Sequence, residues 1–234
     1  MSELLLIHGS CHGAWCWRDT LKELDALGHP ARAIDLPGHG ADPTPRDRVT
    51  LDGYVDAILA AIDAPVTLVG HSMGGFPVTA AALRAPERIA RLVYLCAYIP
   101  APGKSLADMR HLWPEQPLLP AIRPDADRVC FTFDAERQHD LFYHDCPPGT
   151  LEHARSHLTP QPFAPQRTPL DPATPPVERH AILCDDDRAI PVGFQRLMAK
   201  DIPSANIQSM ATSHSPFFAA PGDLARRLAA IAAT

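Results

Sequence analysis

Short apolar-rich runs alternate with longer stretches of helical spacing through the first hundred residues, and the same alternation returns after residue 178. Leu4-Leu5-Leu6-Ile7 is apolar at every position, which suits a strand buried on both faces, as in a parallel sheet. Ala31–Leu36, Val66–Val69 and Arg91–Tyr98 read as three further strands. Between them, Trp15–Leu27 brings Trp17, Leu21, Leu24 and Leu27 onto one helical face, with Gly28 as its stop. Thr50–Ile62 does the same with Leu51, Tyr54, Val55, Ile58, Leu59 and Ile62, and Phe76–Arg84 reads as a third helix. Beyond residue 178 come a strand at Arg179–Cys184, a helix at Pro191–Lys200, a strand at Ala205–Met210 and a closing helix at Pro216–Ile231. Both prolines fall near a first helical turn, where a missing N–H costs nothing. Strand and helix in alternation predict an α/β fold, a mostly parallel sheet of about six strands with helices on both faces.

From residue 101 to 178 the alternation fails. Fourteen prolines fall there, too many for long uninterrupted helices. Trp113, Phe131, Phe133, Phe142, Tyr143 and Phe163 nevertheless give the segment more apolar surface than a disordered stretch carries. The expectation is an inserted lid of short helices joined by loops, with residues 1–100 and 179–234 forming the core. The six aromatics are candidates to line a substrate pocket.

At 234 residues and 46% hydrophobic content the chain can bury one large core, so one domain with an insertion is expected. A net charge of −6 with no long basic run argues against nucleic acid and anionic membrane surfaces as partners. Met1-Ser2-Glu3 brings no positively charged leader, and Leu4–Ile7 is far too short for a signal or membrane-spanning segment, so a cytoplasmic location is expected. Cys11, Cys16, Cys96, Cys130, Cys146 and Cys184 are expected as free thiols, because a chain this long does not need bridges. No C-x-x-C pair occurs, and the i, i+4 pair His153 and His157 has no carboxylate in phase with it. No metal site is expected.

The chemistry gathers at Gly70-His71-Ser72-Met73-Gly74, a G-x-S-x-G motif between the strand run from Val66 and the helix from Phe76. Such an elbow bends a strand sharply into a helix and exposes a serine hydroxyl, and a β-carbon at Gly70 or Gly74 would crowd the bend. Ser72 is therefore the candidate nucleophile. A serine hydroxyl needs a base, and the base needs an orienting group. His214 follows the last strand and precedes the last helix, which puts it at the same sheet edge as Ser72, a placement no other histidine shares. The acid should follow the strand ending at Cys184, where Asp185, Asp186 and Asp187 compete. Asp187, directly before Arg188-Ala189-Ile190-Pro191, is favoured, although spacing alone leaves the other two open. Two backbone N–H groups are needed for a developing oxyanion. The Met73 amide, after the nucleophile, and the Ser10 amide, in the turn after the first strand, are the expected donors.

These residues resemble a known group. HGSCHGAWCW, from His8 to Trp17, closely resembles the start of the plant methylesterase and hydroxynitrile lyase branch of the α/β-hydrolase superfamily. GHSMGG is similar to its elbow, and CDDDRAIPVGFQ, from Cys184 to Gln195, resembles its acid loop. The resemblance implies Ser72 as nucleophile, His214 as base, Asp187 as acid, and Ser10 and Met73 as oxyanion amides. Lyases of the branch carry a threonine after the first histidine and a lysine after the last, whereas Gly9 and Ser215 stand here, and a departing cyanide would lack a cationic partner. The expected activity is that of a serine carboxylesterase on a small, largely apolar ester, methyl esters included, with no cofactor. A thioesterase, lactonase or C–C bond hydrolase using the same triad, or a non-catalytic receptor for a small ligand, are the alternatives. The expected partner is a small-molecule ester, and a homodimer is compatible with the sequence.

Overall fold

Every residue of β1 (Leu4–Ile7) is fully buried, and alternate side chains serve opposite faces of the sheet. Leu4 and Leu6 join Trp17, Leu24, Val69 and Leu228 on one face, while Leu5 and Ile7 join Tyr54, Ile58, Leu68 and Phe76 on the other. A leucine or isoleucine so placed contributes about 2 kcal/mol through burial alone. The computed structural model describes residues 2–233. Its main elements continue with α1 (Arg18–Ala26), β2 (Ala31–Ile34), α2 (Leu51–Ala60), β3 (Val66–His71), α3 (Gly75–Arg84) and β4 (Ile89–Leu95). Thr50 caps α2 by accepting from the Gly53 amide at 3.0 Å.

Residues 101–178 hold α4 (Leu106–Met109), β5 (Ile122–Pro124), β6 (Cys130–Phe133), α5 (Thr150–His157), β7 (Gln161–Pro162) and α6 (Ala164–Arg167). The short helices match expectation, but the segment also contains a three-stranded antiparallel sheet in the order β5-β6-β7. Strands of two to four residues leave almost no periodic signal in a sequence. The segment is tied to the turn after β1: the Thr159 amide donates to the Cys11 carbonyl at 2.9 Å and the Cys11 amide to Gln161 Oε1 at 3.4 Å.

After it come β8 (Arg179–Cys184), α7 (Val192–Met198), β9 (Ile207–Met210), α8 (Pro216–Ala219) and α9 (Pro221–Ala233). The main sheet has six strands in the order β2-β1-β3-β4-β8-β9, all parallel. Most elements start or end a few residues from where their sequence pattern places them, and two of these differences have a clear cause. The closing helix is two helices, because Pro221 removes an amide and disfavours helical backbone at Ala220, which sits at φ −147°, ψ 57°. The fourth strand ends at Leu95 instead of Tyr98, because Cys96 turns to φ 34° and sends the Tyr98 amide to the Ser72 carbonyl at 3.0 Å. Among the described residues no helix is long and apolar enough to cross a membrane, and all six cysteines are free.

Candidate active site

In a parallel sheet all strands end at one edge, and the loops there converge. Ser10 follows β1, Ser72 follows β3, Asp187 follows β8 and His214 follows β9. Ser72 sits at φ 54°, left-handed backbone that costs a non-glycine residue roughly 1–2 kcal/mol. The two glycines of the elbow make this bend sterically feasible. A β-carbon on Gly70 would lie 2.6 Å from the Gly74 carbonyl oxygen, and one on Gly74 would lie 2.9 Å from the His8 carbonyl oxygen.

Ser72 Oγ is 2.9 Å from His214 Nε2, and His214 Nδ1 is 2.7 Å from Asp187 Oδ2. A carboxylate only accepts, so Nδ1 carries the proton and Nε2 is left to accept from the Ser72 hydroxyl. All three residues are buried. Asp187 is also fully satisfied: its Oδ1 accepts from the Ala189 and Ile190 amides at 2.7 and 2.8 Å, and its Oδ2 accepts from Gln195 Nε2 at 2.9 Å as well as from His214. Gln195 in α7 anchors this loop further by accepting the Cys184 amide at 3.1 Å and donating to the Ile190 carbonyl at 2.7 Å. Asp185 and Asp186 point away; both are exposed, and Asp185 pairs with Arg196 at 3.0 Å. Gln195 closes the CDDDRAIPVGFQ run in the sequence, but the run assigns it no role; its hydrogen bonds to the acid loop do.

The Ser10 amide is aimed by the other end of its own peptide. The Gly9 carbonyl accepts from His8 Nδ1 at 2.8 Å and from the His12 amide at 3.3 Å. Because the peptide is planar and trans, pinning that carbonyl fixes the opposite direction for the Ser10 N–H. His8 Nε2 accepts the Leu36 amide at 3.1 Å, so this imidazole must stay neutral to serve both ends. Burial indeed pushes its pKa down to about 4, against a smaller upward effect of the Gly9 hydrogen bond. His12, likewise lowered to about 4 by burial, donates from Nδ1 to the Ser10 carbonyl at 2.9 Å and accepts from the Tyr143 hydroxyl at 2.8 Å. The Met73 amide lies in the first turn after the elbow, where helical amides lack a partner. Gln166 Nε2 donates to the Ser10 hydroxyl at 2.8 Å, so that side chain is held in place too.

Ser72 and His214 line a narrow pocket together with Ser10, His12, Tyr98 and Phe142. His71, Leu118, Phe133 and Arg110 complete its lining, leaving about 10 Å³, room for about one water. Of the six lid aromatics, Phe133 and Phe142 reach this pocket. Both also line a neighbouring cavity of about 100 Å³, where Tyr143 joins them. Phe131 packs between Phe133 and Phe163, and Trp113 stacks on Phe194, so these three side chains pack within residues 101–178 and against α7. Arg110, Leu118 and Tyr98 were not singled out in the sequence, because one arginine or leucine in a proline-rich segment looks like any other. His71, Cys96 and His214 bring potential ligand atoms within 4.8 Å of one another. Both nitrogens of His214 are committed to Ser72 and Asp187, however, and His71 Nε2 donates to the His214 carbonyl at 2.8 Å.

Fold and site together define a class: an α/β enzyme with a serine at a strand-to-helix elbow, backed by histidine and aspartate. The chain belongs to the alpha/beta hydrolase family, whose model matches residues 4–227. It is 30% identical over 252 residues to Methylesterase 7 of Arabidopsis thaliana, a match covering 98% of this chain and 96% of that protein. Methyl jasmonate esterase 1 of Vitis vinifera is 29% identical over 246 residues, covering 94% of this chain and 92% of that one. The crystal structure of a pyrethroid hydrolase from Sphingobium faniae JZ-2 superposes with a TM-score of 0.84 at 28% identity, covering 100% of this chain and 98% of that one. The likeness therefore runs through residues 101–178 as well as the residues on either side of them.

Proposed function

We propose that this chain is a serine carboxylesterase that hydrolyses a small, largely apolar ester, methyl esters included, through an acyl-enzyme on Ser72. The observation that carries the reading is the unbroken hydrogen-bond chain Ser72–His214–Asp187 at 2.9 and 2.7 Å. The esterase names of the relatives support the bond type. In this reading His214 Nε2 takes the Ser72 proton as Oγ attacks the ester carbonyl, and Asp187 stabilises the imidazolium that forms. The Ser10 and Met73 amides meet the oxyanion, where one such donor is worth roughly 3–4 kcal/mol. His214 then protonates the departing alcohol, and water, activated the same way, frees the acid.

Gly9 weighs against lyase chemistry in a way that spacing could not show. A β-carbon there would stand 2.8 Å from His71 Nδ1 and 2.9 Å from Ser72 Cβ, so the space a threonine would need is filled. Ser215, where the lyases carry a lysine, is buried and brings no cation to the site. Thioester, lactone and carbon–carbon substrates share the triad but gain no observation of their own. A serine-directed phosphonate separates an enzyme from a ligand receptor on the same fold. Stoichiometric labelling at Ser72 is expected, and an unlabelled protein would contradict the reading.

A further inference from the structure

Arg110 follows directly on α4 and is only 6% exposed, yet among the described residues no aspartate or glutamate lies within ion-pairing distance of it. One terminal nitrogen, Nη2, donates to Gln166 Oε1, and the Phe131 ring lies 5.8 Å from its Cζ. The Tyr98 hydroxyl lies close enough to interact with the guanidinium. Its Nε is buried with no hydrogen-bond partner among the described residues. The same side chain lines the pocket that holds Ser72 and His214, and also the adjoining one beside Leu118 and Ile190. Glu115 borders only that outer pocket and is exposed.

A guanidinium stays charged under all ordinary conditions, and taking it out of water without a counter-ion is costly. Holding Gln166 would need only a neutral donor. A buried cation with free donors that shares a pocket with the nucleophile fits a site whose anion arrives with the substrate, where a carboxylate can take a two-pronged guanidinium contact. Leu118, Phe133 and Phe142 give the same pocket apolar wall, beside the polar side chains of Ser10, His12, His71 and Tyr98.

We propose that the ester taken by this site carries a free carboxylate, which pairs with Arg110 while the ester carbonyl lies over Ser72, the two joined by a short apolar chain. This rests on the carboxylesterase reading. The reaction is ordinary hydrolysis: water adds across the acyl–oxygen bond, the alcohol leaves with a proton, and the product carries the new carboxyl group.

The test compares matched esters at one pH. Monomethyl adipate against dimethyl adipate places the carboxylate on the acyl side, and O-butyryl glycolate against its amide places it on the alcohol side. In one of these pairs the charged ester should show a kcat/KM at least tenfold above its neutral partner. That ratio should fall at least tenfold in Arg110→Gln and recover in part in Arg110→Lys, the change lying mainly in KM. Wild-type protein supplies a readout that does not depend on the variant folding: the acid corresponding to the preferred substrate should inhibit at least tenfold more tightly than its amide. Equal rates within both pairs, with equal inhibition by acid and amide, would overturn the proposal. Neutral-ester turnover that survives Ser72→Ala would instead overturn the esterase reading, so the two failures are distinguishable.

Discussion

Gln195 Nε2 stands 2.9 Å from Asp187 Oδ2, the oxygen that also receives His214 Nδ1 at 2.7 Å. A residue on α7 that touches neither Ser72 nor the pocket thus helps set where the carboxylate points. Replacing Gln195 by Leu removes that donor and strands the buried Cys184 amide, an unmet hydrogen bond worth about 1–3 kcal/mol. Turnover should fall roughly tenfold or more, with KM little changed, and the melting temperature should drop. Steady-state kinetics with a melting curve check both, and a change confined to KM would show that Gln195 acts elsewhere.

Asp187→Asn tests the direction of the His214 proton. Its side-chain oxygen can still accept from the Ala189 and Ile190 amides, so the loop keeps its shape. The amide nitrogen, however, meets donors on Gln195 and His214. With the imidazole forced into the wrong tautomer, kcat should fall by about 10³–10⁴ while the protein remains folded. A loss below tenfold would remove Asp187 from the orienting role.

Gly9→Thr asks whether the turn after β1 tolerates the residue that the lyase branch carries. The new β-carbon would press on both His71 and Ser72. Displacing a nucleophile by about 1 Å can cost on the order of 100-fold. Ester hydrolysis should fall by that order and no cyanohydrin cleavage should appear.

The first and last strands' turns explain how much of this site could be read from residues alone. Ser72, Asp187 and His214 sit in sequence motifs whose position after a strand is itself the signal, and the all-parallel sheet follows from strands buried on both faces. What escaped notice acts across the fold instead of along the chain. Gln166 looks like any polar residue until tertiary packing turns it inward, Gln195 ends a recognisable run that gives it no role, and Arg110 gains meaning only because no acid among the described residues meets it. The break in the closing helix at Pro221 was legible in principle, since a proline inside a helical run disfavours helix at the preceding residue.

Stability should depend on pH through the buried histidines of the same turn. His8 and His12 titrate near 6.5 when unfolded but at about 4 in the fold, where burial holds them neutral. Between these values the unfolded chain binds more protons, so stability is complete above about pH 6.5 and is lost as pH falls towards 4. At pH 5 the loss is about 2 kcal/mol for each residue, and the melting temperature should lie roughly 10 °C below its value at pH 7.5. A melting temperature flat across this range would contradict the neutral, doubly bonded imidazoles.

In the proposed reaction a single hydroxyl, that of Ser72, does the chemistry. The most direct measurement is the hydrolysis rate of a p-nitrophenyl ester by Ser72→Ala, beside wild-type protein of matched fold. The kcat of this variant should fall by about 10⁴-fold or more, leaving only what the oxyanion amides and binding provide. An undiminished rate would contradict it.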